Sequence, residues 1–305
     1  MKLHQLRALV ALHEHGSMQE ASKVLHVTQP ALSRAIKELE HELGTTLLLR
    51  NSRGVVLTDT GQRLLVHARH VGESLRRARQ DIEDMKGDGA AREVTLGITS
   101  AVSLLPPLQQ ALDEHLRKHP DVKLRILEMR PPQILPLLRE GSMDLALISQ
   151  PPPQSSPLQW KPLCRMPMHI IANRRHPLRD VRSLRELLDA QWISADPITS
   201  PLSPLNMLFQ QNGLPLPSRH LECSSTVLYS RMMTEMPVLS LAATTAFDEE
   251  IPVFGLNIQK VEVAERIPDS RISLVYDDEE LMARPARQLF QLLQEHFWRA
   301  YPRFD

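Results

Sequence analysis

The sequence has few cysteines and no long apolar run. Only two of its 305 residues are cysteine, Cys164 and Cys223, too few for the disulfide framework of a small secreted domain. No apolar run approaches the roughly 18 residues that a transmembrane helix needs. The N-terminus has only a short apolar stretch and no small-residue cleavage site. We therefore expect a cytoplasmic protein without a membrane partner.

The sequence also lacks the common catalytic motifs. GxSxG, HExxH, the P-loop and GxGxxG are all absent, and no serine and histidine stand at a spacing that indicates nucleophilic catalysis. His67 and His70 are three residues apart, but no third metal ligand is near them in the sequence. We therefore expect no enzymatic activity, no cofactor and no metal site, and an enzyme is the most remote alternative.

The net charge is zero, with 36 basic and 36 acidic residues. Taken alone, this balance argues weakly against a protein that binds nucleic acid. Basic residues only slightly outnumber acidic ones in positions 1–58. Any phosphate binding must therefore depend on where the basic residues lie and on their doubling in a dimer.

Residues 17–43 predict two short helices joined by a tight turn. Ser17 and Thr28 are good N-caps, and His26-Val27 turns the chain between the helices. On the second helix an apolar stripe, Leu32, Ile36, Leu39 and Leu43, recurs at helical spacing. The opposite side and the N-terminus carry groups that suit base edges and phosphates: Gln29, Pro30, Ser33, Arg34 and Lys37. The alternative is an ordinary helical hairpin with a solvated polar face.

The next residues favour the DNA-binding interpretation. Residues 44–58 contain two short apolar runs around Asn51-Ser52-Arg53-Gly54, the signal of a β-hairpin. This hairpin would place Arg50 and Arg53 at the tip of a basic wing. With a first helix over Leu3–His15, residues 1–58 predict a winged helix-turn-helix domain that binds double-stranded DNA.

A long helix is predicted to follow, in a segment spanning 59–88. It contains no proline up to Lys86, and about 28 residues at 1.5 Å each give a length of ~42 Å. Its apolar positions alternate in steps of four and three, which is typical of a coiled-coil seam. The alternative is a helix that packs only on its own domain. We interpret the segment as a dimerisation helix with these seam residues: Leu64, Ala68, Val71, Leu75, Ala78 and Ile82.

Residues 89–305 alternate between strand and helix patterns, beyond a predicted hinge at Gly87–Ala91. The order β-α-β-α-β in its first part indicates a parallel sheet covered by helices. The Pro-rich segment 151–157 interrupts this order, and a second set of elements begins at Met166–Ala172. Two α/β lobes in one chain predict a ligand site at the carboxyl ends of strands.

One family resemblance covers essentially the whole chain. The N-terminal part resembles LysR-type transcriptional regulators at the following positions: Gly16, Ser17, Ala21, Leu25, Thr28 to Ser33, Ile36, Leu39, Glu40, Leu43, Gly44, Leu47, Arg50, Leu57, Thr58 and Gly61. The resemblance implies a periplasmic-binding-protein-like effector domain whose chain crosses twice between the lobes. We place the crossings near residues 163 and 268, which gives lobe I as 92–163 with 268–305 and lobe II as 164–267. A homodimer or homotetramer is also expected, and RNA polymerase is a further candidate partner.

Serine and threonine hydroxyls mark the predicted effector site. They follow strands and precede helices, where hydroxyls and free N–H groups suit an anionic small molecule. By the resemblance, Ser100 is the first candidate to touch the effector. In many relatives a threonine follows the second strand, and the matching segment here is Met129-Arg130-Pro131-Pro132. The alternative is that each hydroxyl is only an N-cap. The full set is Thr99, Ser100, Pro131, Thr199, Ser200, Ser203, Ser224 and Thr226. Ligand binding is expected to change the angle between the lobes and the spacing of the DNA-binding helices.

The two cysteines leave a second regulatory hypothesis open. Some relatives switch through a cysteine pair, so Cys164 and Cys223 could make the protein a thiol-based redox regulator of the same architecture. Free cysteines are among the most buried residue types and are usually inert. We therefore favour the small-molecule effector.

Overall fold

The structure is a computed structural model that describes residues 1–51, 54–86, 92–103, 105–243 and 257–301. They form two units, residues 1–90 with 135–143 and residues 91–134 with 144–305. Arg53 and the predicted hinge at Gly87–Ala91 lie outside the described residues. Among the described helices, none combines the length and apolar character that crossing a membrane requires.

The first unit begins with three helices whose ends follow from local chemistry. They are α1 (Leu3–His15), α2 (Met18–Val24) and α3 (Gln29–Leu43). The Ser17 hydroxyl accepts a hydrogen bond from the Glu20 N–H at 3.1 Å, and the Thr28 hydroxyl accepts one from the Ala31 N–H at 3.4 Å. Both predicted N-caps are thereby confirmed. The turn at His26 is also confirmed, and this residue has a left-handed φ of 54°.

The three helices enclose one apolar core. Leu9 and Leu12 of α1 meet Leu32, Ile36 and Leu39 of α3 in a single buried cluster. The prediction that Leu43 belongs to the apolar stripe of α3 is wrong, because this residue is 42% exposed, and the apolar Val24 of α2 is likewise 52% exposed. Each is the last residue of its helix.

A two-stranded wing and a long helix follow the three helices in this unit. Strands β1 (Leu48–Asn51) and β2 (Gly54–Leu57) pair in antiparallel fashion, which confirms the predicted hairpin. Helix α4 (Asp59–Lys86) starts directly after it. A Cβ on Gly61 would lie 2.2 Å from the carbonyl oxygen of Leu47, so only glycine allows the first turn of α4 to approach the wing this closely. Arg69 of α4 pairs with Glu14 of α1 at 3.3 Å and with Glu140 at 3.1 Å.

The second unit contains two five-stranded sheets, and each sheet with its helices is called a lobe below. The first sheet has the order β4-β3-β5-β12-β6 and the second has the order β11-β7-β10-β8-β9. The strands of the first are β3 (Arg92–Ile98), β4 (Val122–Glu128), β5 (Leu145–Ile148), β6 (Gln159–Met166) and β12 (Ser270–Tyr276). Those of the second are β7 (Met168–Asn173), β8 (Gln191–Ser194), β9 (Arg219–Glu222), β10 (Leu239–Ala243) and β11 (Ile258–Val261).

Helices follow or cover these strands. In the first lobe they are α5 (Ser100–Ser103), α6 (Pro106–Lys118), the start of α7 (Pro131–Arg139) and α10 (Arg284–Ala300). The second lobe has α8 (Pro204–Gln211), α9 (Thr226–Glu235) and a 3-10 helix at Leu184–Leu187. Helices α6 and α10 are joined by the 2.8 Å contact between Glu114 and His296.

The sheets are mixed, and the predicted parallel β-α-β-α-β arrangement is confirmed for β3, β4 and β5. Strand β3 runs parallel to β4 and β5, but β12 is antiparallel to β5 and β6. In the second sheet β8 is parallel to β9 and β10, whereas β7 is antiparallel to β10 and β11. The antiparallel strands β6, β7 and β12 flank the passages from one sheet to the other.

The chain changes sheet at Pro167, between β6 and β7, and again between Val261 and Ser270. The first passage lies a few residues beyond the predicted position 163, so Cys164 and Met166 belong to the first sheet. The second passage includes the predicted position 268. These two passages bring the carboxyl ends of β3, β4 and β8 to one cavity, described next.

Candidate DNA-binding and effector sites

The polar face of α3 is open to solvent. Gln29, Pro30 and Lys37 are exposed, and Ser33 is partly exposed. Arg34 has a side chain that is 81% exposed and contacts Glu38 at 2.9 Å one turn away. Such an exposed pair contributes little to stability, so the guanidinium can exchange Glu38 for a phosphate or a base edge.

The wing is fixed to α3 by one carboxylate. Glu40 Oε1 accepts hydrogen bonds from the backbone N–H groups of Leu47 at 2.8 Å and Leu48 at 3.2 Å. Arg50 lies in β1, but its side chain, like Arg53, is outside the described part of the chain. The role of Glu40 was missed because a glutamate on a helix gives no local sign of a distant backbone partner.

The predicted seam of α4 divides into two parts. Ala68 is 2% exposed and Leu64 is half-buried in the core shared with α1. Beyond them, Val71 is 38% exposed and Ile82 is 54% exposed, while Leu75 is partly exposed and Ala78 is exposed. The part of the seam that remains open within this chain therefore runs from Val71 to Ile82.

A cavity of about 420 Å³ lies between the two lobes of the second unit and is called the interlobe cavity. Its lining includes six of the predicted effector residues, Thr99, Ser100, Pro131, Ser203, Ser224 and Thr226. Thr199 and Ser200, which were also predicted, are not among its described lining residues. Its volume is within the range of roughly 300–1,000 Å³ that is usual for small-molecule sites.

The two hydroxyls that follow β3 differ in their availability. Thr99 is 6% exposed, and its Oγ1 lies 2.9 Å from the Ser149 hydroxyl and accepts the Ser149 N–H at 3.1 Å. The Ser100 hydroxyl has no hydrogen-bond partner among the described residues. Helix α5 starts at Ser100 and has only four residues, too short for its dipole to support ligand binding. Ser100 is a ligand candidate because its hydroxyl is free.

Three polar contacts join the lobes around the cavity. Arg130 Nη1 donates to Glu222 Oε1 at 2.6 Å, and the Thr226 hydroxyl donates to Glu128 Oε1 at 3.0 Å. Gln150 Nε2 donates to Asp196 Oδ2 at 3.4 Å. The sequence gives no local sign of these contacts, because the paired residues are 46 to 98 positions apart. The residues without such a sign are Glu128, Arg130, Gln150, Asp196 and Glu222.

The two cysteines lie in separate hydrophobic cores. Cys164 belongs to the core of the first lobe, and burial raises the pKa of its thiol to about 12. Cys223 belongs to a core of the second lobe and lines the interlobe cavity. A thiol with so high a pKa is almost entirely protonated at neutral pH, which makes Cys164 a poor partner for thiol oxidation.

Comparisons with known proteins identify both domains of the chain. Residues 3–62 match the domain described as "Bacterial regulatory helix-turn-helix protein, lysR family", and residues 87–298 match "LysR substrate binding domain". The chain therefore belongs to the LysR family of DNA-binding transcriptional regulators, as the resemblance implied.

Individual relatives show how far the similarity extends. The transcriptional regulator CfxR of Cupriavidus necator is 30% identical over 214 residues, which are 70% of this chain and 66% of CfxR. The crystal structure of ArgP from Mycobacterium tuberculosis has a TM-score of 0.74 at 18% identity and covers 97% of both chains. Full-length CbnR in complex with its target DNA has a TM-score of 0.61 at 19% identity and covers 97% of this chain and 100% of CbnR. The two structures support the same fold.

Proposed function

We propose that the protein binds operator DNA as a homodimer in the cytoplasm and that a small molecule in the interlobe cavity changes its affinity for the operator. The family assignment shows the class of protein, a DNA-binding transcriptional regulator. The observation that carries the proposal is the exposed polar face of α3, on which Gln29, Arg34 and Lys37 face solvent.

The DNA contacts are proposed residue by residue. Gln29, Ser33 and Arg34 would approach base edges in the major groove, and Lys37 would contact phosphate. Arg50 and Arg53 of the wing would add phosphate contacts. A single domain with little excess charge binds weakly, so two copies on adjacent half-sites are needed for a useful affinity.

The dimer would form through the exposed part of the α4 seam. Val71 and Ile82 are large apolar side chains that stay exposed on a helix of 28 residues. Pairing the seam with that of a second copy would remove this apolar surface from water. Contacts between effector domains would be required in addition for a tetramer.

The effector would bind where the lobes meet. The cavity has a usual size for a metabolite, a free hydroxyl on Ser100 and polar contacts that link the lobes across it. A ligand that fits one lobe arrangement better than another shifts the population toward it. A coupling free energy of about 1–3 kcal/mol changes DNA affinity several-fold or more.

The experiment is a selection of bound fragments from the organism's own genomic DNA by the full-length protein, followed by nuclease footprinting. We expect a protected site with two half-sites about 34 Å apart, or a multiple of that distance. The proposal fails if the recovered fragments share no sequence and the protein binds all DNA with equal affinity.

A further inference from the structure

The described lining of the interlobe cavity carries more acidic than basic side chains. Among its described lining residues, Glu128 and Asp196 are acidic and Arg130 is the basic one. Arg130 already pairs with Glu222 at 2.6 Å, so its positive charge is largely compensated within the protein. A ligand anion would therefore meet two carboxyl groups and a guanidinium that is engaged elsewhere, an arrangement that disfavours negative charge.

Asp196 is a partly buried carboxyl group of this cavity, and the cation that acts on it, Arg130, is already paired with Glu222. Its hydrogen-bond partner among the described residues is the Gln150 amide, at 3.4 Å. Partial burial withdraws the carboxylate from water, which is costly unless a cation or several donors replace the water. In line with this, burial raises the pKa of the Asp196 carboxyl.

Ser203 is an independent sign that the cavity is built for a ligand. It lines the cavity and is 0% exposed, yet its hydroxyl oxygen has no hydrogen-bond partner among the described residues. Ser203 precedes α8, but its side chain does not cap that helix. A buried hydroxyl without a hydrogen-bond partner is destabilising. A polar atom of a ligand would supply the missing hydrogen bond.

Part of the remaining lining is apolar and contains adaptable side chains. Met129, Met166 and Met168 line the cavity, together with Leu205 and Leu241. Methionine side chains adapt their shape to a hydrocarbon chain. The lining therefore suits an aliphatic skeleton between two polar ends.

We propose that the effector is a small aliphatic ammonium compound whose charged nitrogen pairs with Asp196 and whose second polar group hydrogen-bonds to Ser203. This inference rests on the proposed function, because it names the ligand class of the same cavity. Free diamines and zwitterionic amino acids share this chemistry. It differs from the anionic effector that the sequence alone predicted.

The test is isothermal titration of the full-length protein with compounds matched in carbon chain. For four, five and six carbons these are the straight-chain diamine, the 2-amino acid, the dicarboxylate and the diol. We expect a diamine or an amino acid to bind at least about tenfold more tightly than the dicarboxylate and the diol of its length. Comparing the affinities of the diamine and the amino acid shows which of these two compound classes the cavity prefers. Tighter binding of a dicarboxylate, or no binding of any ammonium compound, overturns the proposal.

Two variants test whether the ammonium group binds to Asp196. Asp196→Asn retains an oxygen that can accept from Gln150, so folding should be unchanged, but ammonium binding should weaken at least about tenfold. Asp113→Asn removes an exposed acid on α6 that pairs with Arg117 at 2.9 Å, and it should leave ammonium binding unchanged. Wild-type binding by Asp196→Asn would contradict the proposed contact.

The outcome can be separated from a failure of the proposed function. If a dicarboxylate binds and changes operator affinity, the effector site stands and only the charge assigned to its ligand is wrong. If the protein shows no operator preference in the genomic selection, the proposed function fails whatever the titrations show.

Discussion

Glu40 of α3 holds the backbone of Leu47 at the base of the wing. The carboxylate accepts the Leu47 N–H at 2.8 Å and also the Leu48 N–H at 3.2 Å. Leu47 is fully buried, so water could not readily replace the carboxylate. This contact fixes the wing strand to the helix that we assign to DNA.

Glu40→Ala should therefore destabilise the first unit. Two backbone donors would lose a charged acceptor, at a cost of about 1–3 kcal/mol. Glu40→Gln is the matched control, because its amide oxygen can still accept one of these hydrogen bonds, and it should lose less. Thermal unfolding followed by circular dichroism would measure both. Equal melting temperatures for Glu40→Ala and the wild type would show that the contact has no structural role.

Arg34→Ala should weaken operator binding and leave stability unchanged. The side chain is 81% exposed and its ion pair with Glu38 is of a kind that contributes little. If Arg34 contacts a base, the loss should be about 1–3 kcal/mol of binding free energy. Arg117→Ala is the matched control, since Arg117 forms the same type of helical pair with Asp113. If both variants bind the operator equally well, Arg34 is not in the interface.

The wing arginines should act differently from Arg34. If Arg50 and Arg53 contact phosphates, the Arg50→Ala and Arg53→Ala variants should lose affinity for all DNA sequences by similar factors. The slope of log affinity against log salt concentration should become shallower by about 1 for each contact removed. Fluorescence anisotropy at several salt concentrations would measure this slope. An unchanged slope would place these residues away from the phosphates.

Ile82→Glu should separate the subunits. Ile82 is 54% exposed within the chain, so the charge costs the monomer little, but it would be buried without a partner in the proposed seam. Ser74→Glu adds the same charge at an exposed position of α4 outside the predicted seam. We expect sedimentation to show a monomer for Ile82→Glu and a dimer for Ser74→Glu. A stable Ile82→Glu dimer would exclude this part of the seam.

His115 should make the second unit less stable in mild acid. It is fully buried on α6, and neither ring nitrogen has a hydrogen-bond partner among the described residues. Burial, and then the nearby His119, lower its pKa from 6.5 to about 4. The unfolded chain therefore takes up this proton at a higher pH than the folded chain. The contribution of His115 to stability should fall as the pH drops from about 6.5 toward 4.

The variant His115→Leu isolates this effect. Between pH 7 and pH 5 the wild type should lose roughly 2 kcal/mol more unfolding free energy than the variant. His119→Leu is the control, because it leaves the buried ring of His115 in place and should retain most of the pH dependence. Urea unfolding at the two pH values would measure the difference. Parallel losses in the wild type and in His115→Leu would assign the pH dependence to other groups.

Local patterns predicted most of the first unit, and tertiary contacts explain where they failed. The caps at Ser17 and Thr28 and the stripe of α3 depend on residues three or four apart, which the sequence displays directly. Val24 and Leu43 follow the same period but are exposed at helix ends, since periodicity does not show how far the facing surface extends.

The second unit was harder to predict for two physical reasons. Strand β6 contains Pro162, a residue that argues against a central strand, but β6 is at the edge of its sheet, where proline is tolerated. The contact between Arg130 and Glu222 joins residues 92 positions apart. Five of the seven serine and threonine positions that the sequence predicts line the cavity, because strand ends are visible in the sequence. The charged groups of the cavity give no such local sign.

The most direct test of effector control is the operator affinity of the full-length protein with and without saturating effector, for the wild type and for Ser100→Ala. We expect the effector to change wild-type affinity by about 5- to 150-fold. Ser100→Ala should keep the basal affinity and the melting temperature of the wild type but lose this response. A variant that responds at the same effector concentration as the wild type would contradict the placement of the effector in the interlobe cavity beside Ser100.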